Sequence, residues 1–260
     1  MFEFKQLVSI GVVACLFLST ACDASGNSSV GKLIGSSDER SESVVLNEVT
    51  KETGSGPVSF ETSDLDGLYQ QLIAQNVTQL PIEKRRQLAL LVLRRTAQEM
   101  PPKPDGVNAA KELLATILSV SDDDPEIAAI ATNVHAIEAG MTVSPMGALA
   151  ITKSVTRTLD RLVRDNPDNG GVLMQRGSNA LYSPMVAGRG SIAVSDFEAL
   201  VSGRFAINES TRWYLLELLG LSYQKVDRKD DARRIFSELA DSNVPYWQAR
   251  AQVLIMGLGR

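Results

Sequence analysis

WYLLELLGLSYQKVDRKDDARRIFSELADSNVP, residues 213–245, reads as two helices folded back on each other. The first helix ends around Leu221 to Tyr223, Asp227 to Asp231 turn the chain, and Ala232 to Ala240 run back. Gly220 stands inside the first helix, where a glycine costs ~1 kcal/mol relative to alanine. The compensating benefit is close approach of a second helix. Ala232 is the small residue on the opposing helix, and Phe236 fills the space between hairpins.

The same residues resemble a tetratricopeptide repeat (TPR). Leu219, Gly220, Tyr223, Ala232 and Phe236 fall at the family's Leu, Gly, Tyr, Ala and Phe positions. Leu216 stands where the family prefers Trp, Leu239 replaces its second Ala, and Pro245 arrives one place late. A second unit lies upstream, in NPDNGGVLMQRGSNALYSPMVAGRGSIAVSDFEAL (166–200). There Pro167 and Gly177 match, and Ala193 and Phe197 keep their mutual spacing but come four residues late, so the hairpin loop at 182–191 is lengthened. PYWQARAQVLIMGL (245–258) is similar to the capping helix that ends such solenoids. The resemblance implies TPR-like hairpins stacked as a short right-handed solenoid, with the first helix of each hairpin lining a groove for a partner. Matching positions place Met174, Gln175, Ser178 and Tyr182 in that groove from one repeat, and Tyr214, Glu217, Leu221 and Gln224 from the next. Tyr182 and Tyr214 lead these candidates, because aromatic residues contribute disproportionately at protein interfaces.

Helical spacing continues upstream. Leu65, Leu68, Tyr69, Leu72 and Ile73 follow the capping residues Ser63 and Asp64. Pro81 opens a second helix carrying Leu88, Leu91 and Val92, with Arg85-Arg86 and Arg94-Arg95 as exposed pairs; MPPKPDG (100–106) ends it. Residues 107–119 form a third. Asp124-Pro125-Glu126 starts a fourth, running to Gly140, and Ser144-Pro145 a fifth, running to about Arg164. These two form a degenerate hairpin. No segment alternates as a strand would, so the fold class is all-α. The domain plan is a leader (1–21), a linker (22–63), helical hairpins (64–164), then the TPR-like repeats and cap (165–260).

The amino terminus reads differently. Residues 7–18 (LVSIGVVACLFL) are an apolar run too short to span a bilayer and the right size for a secretory signal. LSTAC (18–22) resembles the lipobox of bacterial lipoproteins, with Ser19 where Leu is usual and Glu3 weakening the positive leader. That resemblance implies cleavage before Cys22, lipidation of that cysteine, and a periplasm-facing anchor held by several acyl chains. Asp23 resembles the inner-membrane retention signal of enterobacterial lipoproteins. Residues 23–63 are rich in Ser, Gly and Glu and read as a disordered tether. Such a tether spans roughly 35 Å and would hold the folded part clear of the lipid. VVLNEV (44–49) is a possible short strand or partner segment within it.

Composition excludes whole classes of chemistry. The chain has two cysteines and one histidine. Cys15 leaves with the leader, so no intrachain disulfide and no cysteine- or histidine-rich metal site is expected. Residues 23–63 hold most of the net charge of −5. The folded part is therefore close to neutral, without a broad field for nucleic acid. His135 is read as a helix residue on an apolar face, Asp122-Asp123-Asp124 as a helix cap rather than a calcium loop, and GRGS (188–191) as a partner-contacting loop rather than a phosphate loop. No catalytic arrangement, metal or cofactor is expected. The functional expectation is a membrane-anchored, periplasmic scaffold or chaperone-like assembly factor for an envelope complex. A helical lipoprotein carrying a small ligand to a transporter is the alternative.

Overall fold

The computed structural model describes residues 54–60, 64–99, 101–184 and 188–259. The leader, Cys22, Asp23 and VVLNEV all lie outside these residues. Among the described residues the fold is all-helical, with ten α-helices and no strand beyond two isolated bridges. The helices are α1 (Leu65–Ile73), α2 (Ile82–Gln98), α3 (Pro104–Ser119), α4 (Pro125–Met141), α5 (Pro145–Asp165), α6 (Gly170–Tyr182), α7 (Gly190–Val201), α8 (Glu209–Lys225), α9 (Lys229–Ala240) and α10 (Pro245–Leu258). None is long and apolar enough to cross a membrane.

Helix starts follow local chemistry. Prolines open α3, α4, α5 and α10, where a missing N–H costs nothing. Asp64, Asp124, Ser144, Asn169 and Asn208 cap α1, α4, α5, α6 and α8 by accepting a hydrogen bond from a first-turn amide. In the Asp122–Asp124 run, Asp122 and Asp123 take the left-handed conformation that Asp tolerates, and Asp124 receives the amide of Ile127 at 3.0 Å. The triple aspartate is thus a turn and a cap.

Consecutive helices pack as hairpins: α2 with α3, α4 with α5, α6 with α7, α8 with α9, and α10 on α9. The even-numbered helices also pack side by side, α2 on α4, α4 on α6 and α6 on α8. This double adjacency explains α4 and α8, whose buried residues surround the axis. On α4, Ile127, Ile130, Val134 and Ile137 join the core of α1–α3, while Ala129 and Ala136 join that of α5–α10. On α8, every residue from Leu215 to Gly220 is buried. An outer helix needs one apolar stripe; an inner one needs several.

Both carboxyl-terminal hairpins close on a glycine. A Cβ on Gly220 would lie 2.2 Å from Cε1 of Phe236, so the ring rests on the α8 backbone. Phe236 therefore fills its own hairpin rather than the gap between hairpins. Gly177 of α6 faces Phe197 of α7 in the same way, with a Cβ 3.1 Å from its Cζ. Ala193 and Ala232, both fully buried, stand one turn before each ring.

Two expectations change. Residues 54–60, assigned by composition to the tether, are laid across the helices: Gly54 bridges to Phe205, Ser55 bridges to Asn169, and Val58 is buried. Extended chain of Gly, Ser and Pro leaves no periodic trace in sequence. Arg94, expected exposed, is buried at 8%. Arg95, beside it, reaches out to Asp66 at 2.6 Å.

The glycine contacts are testable. Gly220→Ala forces a methyl into Phe236 and is expected to destabilise by about 1–3 kcal/mol despite better helix propensity. Gly177→Ala, with its looser fit, is expected to stay within about 1 kcal/mol of the parent. Urea unfolding of both variants measures the difference.

Candidate functional site

The candidate groove rests on α6 and α8, two inner helices that pack on each other. Its predicted residues divide by depth. Met174, Gln175 and Glu217 are buried, and this corrects their assignment to an open groove. The physical reason is the packing of α4 on α6 and of α10 near α8, which covers the positions a wider solenoid would leave open. Gln175 accepts from Asn133 of α4 at 2.9 Å, and Asn179 donates to the same asparagine at 3.1 Å. Glu217, 1% exposed, accepts from Arg250 Nε of α10 at 2.6 Å. Burial pushes its carboxyl above the usual range, while Arg250 opposes that shift.

Ser178, Tyr182, Tyr214 and Leu221 are half-buried, and Gln224 is exposed. Tyr182, Tyr214 and Leu221 pack their apolar parts against the main core and keep an edge at the surface. These five form what the structure leaves accessible of the predicted set. Arg94 adds a residue that sequence reasoning missed. It belongs to α2, yet it interacts electrostatically with Tyr214 of α8. Leu90, one turn earlier, packs against both cores.

The lengthened loop after α6 is stitched at its base. Lys225 of α8 donates Nζ to the carbonyls of Ala180, Leu181 and Ser183 at the carboxyl end of α6, a favourable place for a cation. Arg189 grips Asp160 of α5 with both nitrogens, at 2.7 and 3.1 Å. GRGS is thus tied into the fold at Arg189, while Gly188 sits at φ 64 with open space around it. His135 is less buried than predicted: its side chain is 39% exposed, and Nδ1 lies 2.6 Å from Glu138. Lys111 also pairs with Glu138, and together these partners hold that carboxyl below its ordinary value against the opposing effect of burial. Among the described residues there is no cluster of three or more His, Cys, Asp or Glu able to hold a metal.

At the opposite ends of the inner helices lies a feature that sequence reasoning did not find. Residues 54–60 form a strap across the amino termini of α6 and α4 and onto α2. Gly54 N donates to Arg204 O, Ser55 N to Asp168 O, and Gly170 N to Ser55 O at 2.8 Å. Val58 N then donates to Glu126 Oε1 at 2.9 Å, and Gln87 Nε2 to Ser59 O at 2.8 Å. The approach is too close for side chains. A Cβ on Gly56 would stand 1.6 Å from Ala206 O, and one on Gly171 would stand 2.0 Å from the Glu126 carboxyl carbon. A cluster of glycines on both sides of the contact, Gly54-x-Gly56 and Gly170-Gly171, was the available sequence clue.

Glu126 is the polar centre of the strap. Burial pushes its carboxyl up to about 7; the Val58 amide and Arg86, 3.6 Å away, pull it down, and Asp124 and Glu83 raise it further. Arg86 is itself shared with Asp124 at 2.7 Å.

No protein-family model, curated protein or solved structure matches this chain.

Glu126 gives the fold a pH dependence of defined sign. Between its ordinary value of 4.5 and about 7, the unfolded chain has lost the proton that the folded chain still holds. Its contribution therefore falls as pH rises through that window and is constant above it, a change on the order of 3 kcal/mol. Glu126→Gln keeps an acceptor for Val58 and removes the titration. Urea unfolding at about pH 5 and about pH 8 is expected to show the parent losing more stability than the variant.

Proposed function

We propose that this protein is a membrane-anchored interaction scaffold of the bacterial periplasm, built as a TPR-like solenoid and serving as an assembly or chaperone-like factor for an envelope complex. The observation that carries the reading is the repeated hairpin closure, Gly177 on Phe197 and Gly220 on Phe236, on inner helices that pack side by side. Repeats of that kind present successive inner helices to one ligand. The accessible rim, Ser178, Tyr182, Tyr214, Leu221 and Gln224, offers two aromatic edges and three uncharged contacts to a partner polypeptide. In this reading Cys22 carries the lipid, Asp23 favours the inner membrane, and the residues before the strap set the distance from the bilayer. The partners are envelope proteins; no nucleic acid, metal or cofactor takes part, and the protein catalyses no reaction.

The alternative, a small-ligand carrier, draws on a groove of about 780 Å³ between α1 and α3, lined by Tyr69, Val92, Arg95, Thr96, Glu99 and Leu113 among others. It is open and as polar as it is apolar, which suits an enclosed apolar solute poorly.

A photo-crosslinking residue placed at Leu221 or Gln224 in living cells is expected to capture one or a few envelope proteins. The same residue at Ser237, exposed on α9, is expected to capture none of them. Identical capture at all three positions would remove the rim as the binding face, and native mass spectrometry showing a bound small molecule without a protein would favour the carrier. Radiolabelled palmitate is expected to label the chain and to be lost in Cys22→Ala.

A further inference from the structure

The solvent face of α5 carries a row of cations that nothing else in the fold uses. Lys153, Arg157, Arg161 and Arg164 are exposed and recur at helical spacings of four, four and three, so they share one face. The row is about 17 Å long at 1.5 Å per residue. Among the described residues Lys153, Arg157 and Arg161 make no ion pair, and Arg164 meets only its neighbour Asp165, at 3.3 Å. The nearest acid on the flank, Asp160, is already held by Arg189 at 2.7 Å and Arg176 at 3.7 Å. The opposite side of the helix, with Val155, Leu159 and Val163, is buried in the core, so the orientation of the row is fixed by packing.

The same face continues into exposed apolar residues at the start of the helix. Val143 is 81% exposed, Met146 73% and Leu149 45%, and no residue of α5 before Val155 is buried. Large apolar side chains left this open at three positions spaced by three residues, Val143 just before the helix and Met146 and Leu149 in its first turns, are unusual for a surface with no partner. Cations in a line with an apolar tip, on an outer helix, match a flat anionic layer with an apolar interior beneath it.

We infer that the outer face of α5 docks on an anionic phospholipid surface, with Lys153, Arg157, Arg161 and Arg164 over the headgroups and Val143, Met146 and Leu149 at the acyl boundary. The inference stands apart from lipidation at Cys22, because it concerns the folded part alone. A chain with net charge −5 has no general attraction for anionic lipid, so this face would set the orientation as well as the contact. Each cation near such a surface contributes about 1 kcal/mol. Removing three charges then weakens binding on the order of 100-fold.

The test uses the full chain carrying Cys22→Ala, which keeps the leader's apolar run constant in every arm. Sedimentation with phosphatidylcholine vesicles is compared with vesicles of phosphatidylcholine and phosphatidylglycerol. The expected result is preferential binding to the anionic vesicles that declines with added salt. Lys153→Gln/Arg157→Gln/Arg161→Gln is expected to abolish the preference, and Met146→Ser/Leu149→Ser to weaken binding while leaving its salt dependence. Circular dichroism melts that match the parent establish that both variants are folded, and the salt titration of the parent reads the effect without any variant. Equal binding to both vesicle types would overturn the inference, as would a preference that survives loss of the three cations. Capture of a polyglutamate peptide through these cations, without vesicle preference, would assign the face to an acidic polypeptide instead and also overturn it.

Discussion

A phenyl ring lying directly on a helix backbone sets the spacing on which the rest of the fold depends. Phe236 occupies the volume where any side chain at position 220 would stand, and Phe197 does nearly the same at Gly177. Each pair brings two helices closer than ordinary side-chain packing allows and puts Ala193 or Ala232 where a larger residue would not fit. Close hairpins in turn let inner helices touch one another. Those contacts make α4 and α8 apolar around their circumference, where an outer helix such as α9 is apolar on one side only.

The same closeness has a polar cost. Inner helices that touch must bury some of what they would otherwise show to solvent, and buried polar groups need partners. Asn133, Gln175 and Asn179 hydrogen-bond one another across α4 and α6, and Arg250 of α10 pairs with one oxygen of Glu217 on α8, while the second, Oε2, is buried without a hydrogen-bond partner. Such pairs favour one register between neighbouring helices, because a one-turn slip would leave amides or a carboxylate unpaired in the core. Specificity of stacking is gained at the expense of open groove surface.

What the sequence made legible follows from this division. Helices opened by proline and capped by Asp or Ser carry local signals, and α1, α4 and α5 start where those residues stand, whereas α3 starts at Pro104, three residues before the expected 107, because its proline was read as ending the helix before it. Gly220 and Phe236 were readable because a glycine inside a helix is a local anomaly with a recurring offset to an aromatic. Gln175 and Glu217 were not, since a polar residue on an inner helix looks the same whether it faces solvent or an asparagine from a hairpin forty residues away. Arg94 was misread for a related reason: a long cation on a helix is solvated in most settings, and its burial here comes from tertiary packing that leaves no local signal. The strap escaped because extended chain bound by backbone amides needs neither periodicity nor apolar residues, only glycines on both sides of the contact.

Stacks of helical hairpins are held by nearest neighbours and tend to unravel from their ends. The strap alters that topology. By running from the loop before α8, past the starts of α6 and α4, to α2, it joins hairpins that a linear stack keeps apart. Fraying of the first hairpin then also strains contacts at the fourth, and the stack acquires the cooperativity of a closed unit. The joining contacts also link residues far apart in the chain, Gly54 with Phe205 among them. A polypeptide emerging amino terminus first must complete α7 before the strap has all its partners, so the earliest part of the fold to be synthesised is among the last to be fully fixed in place.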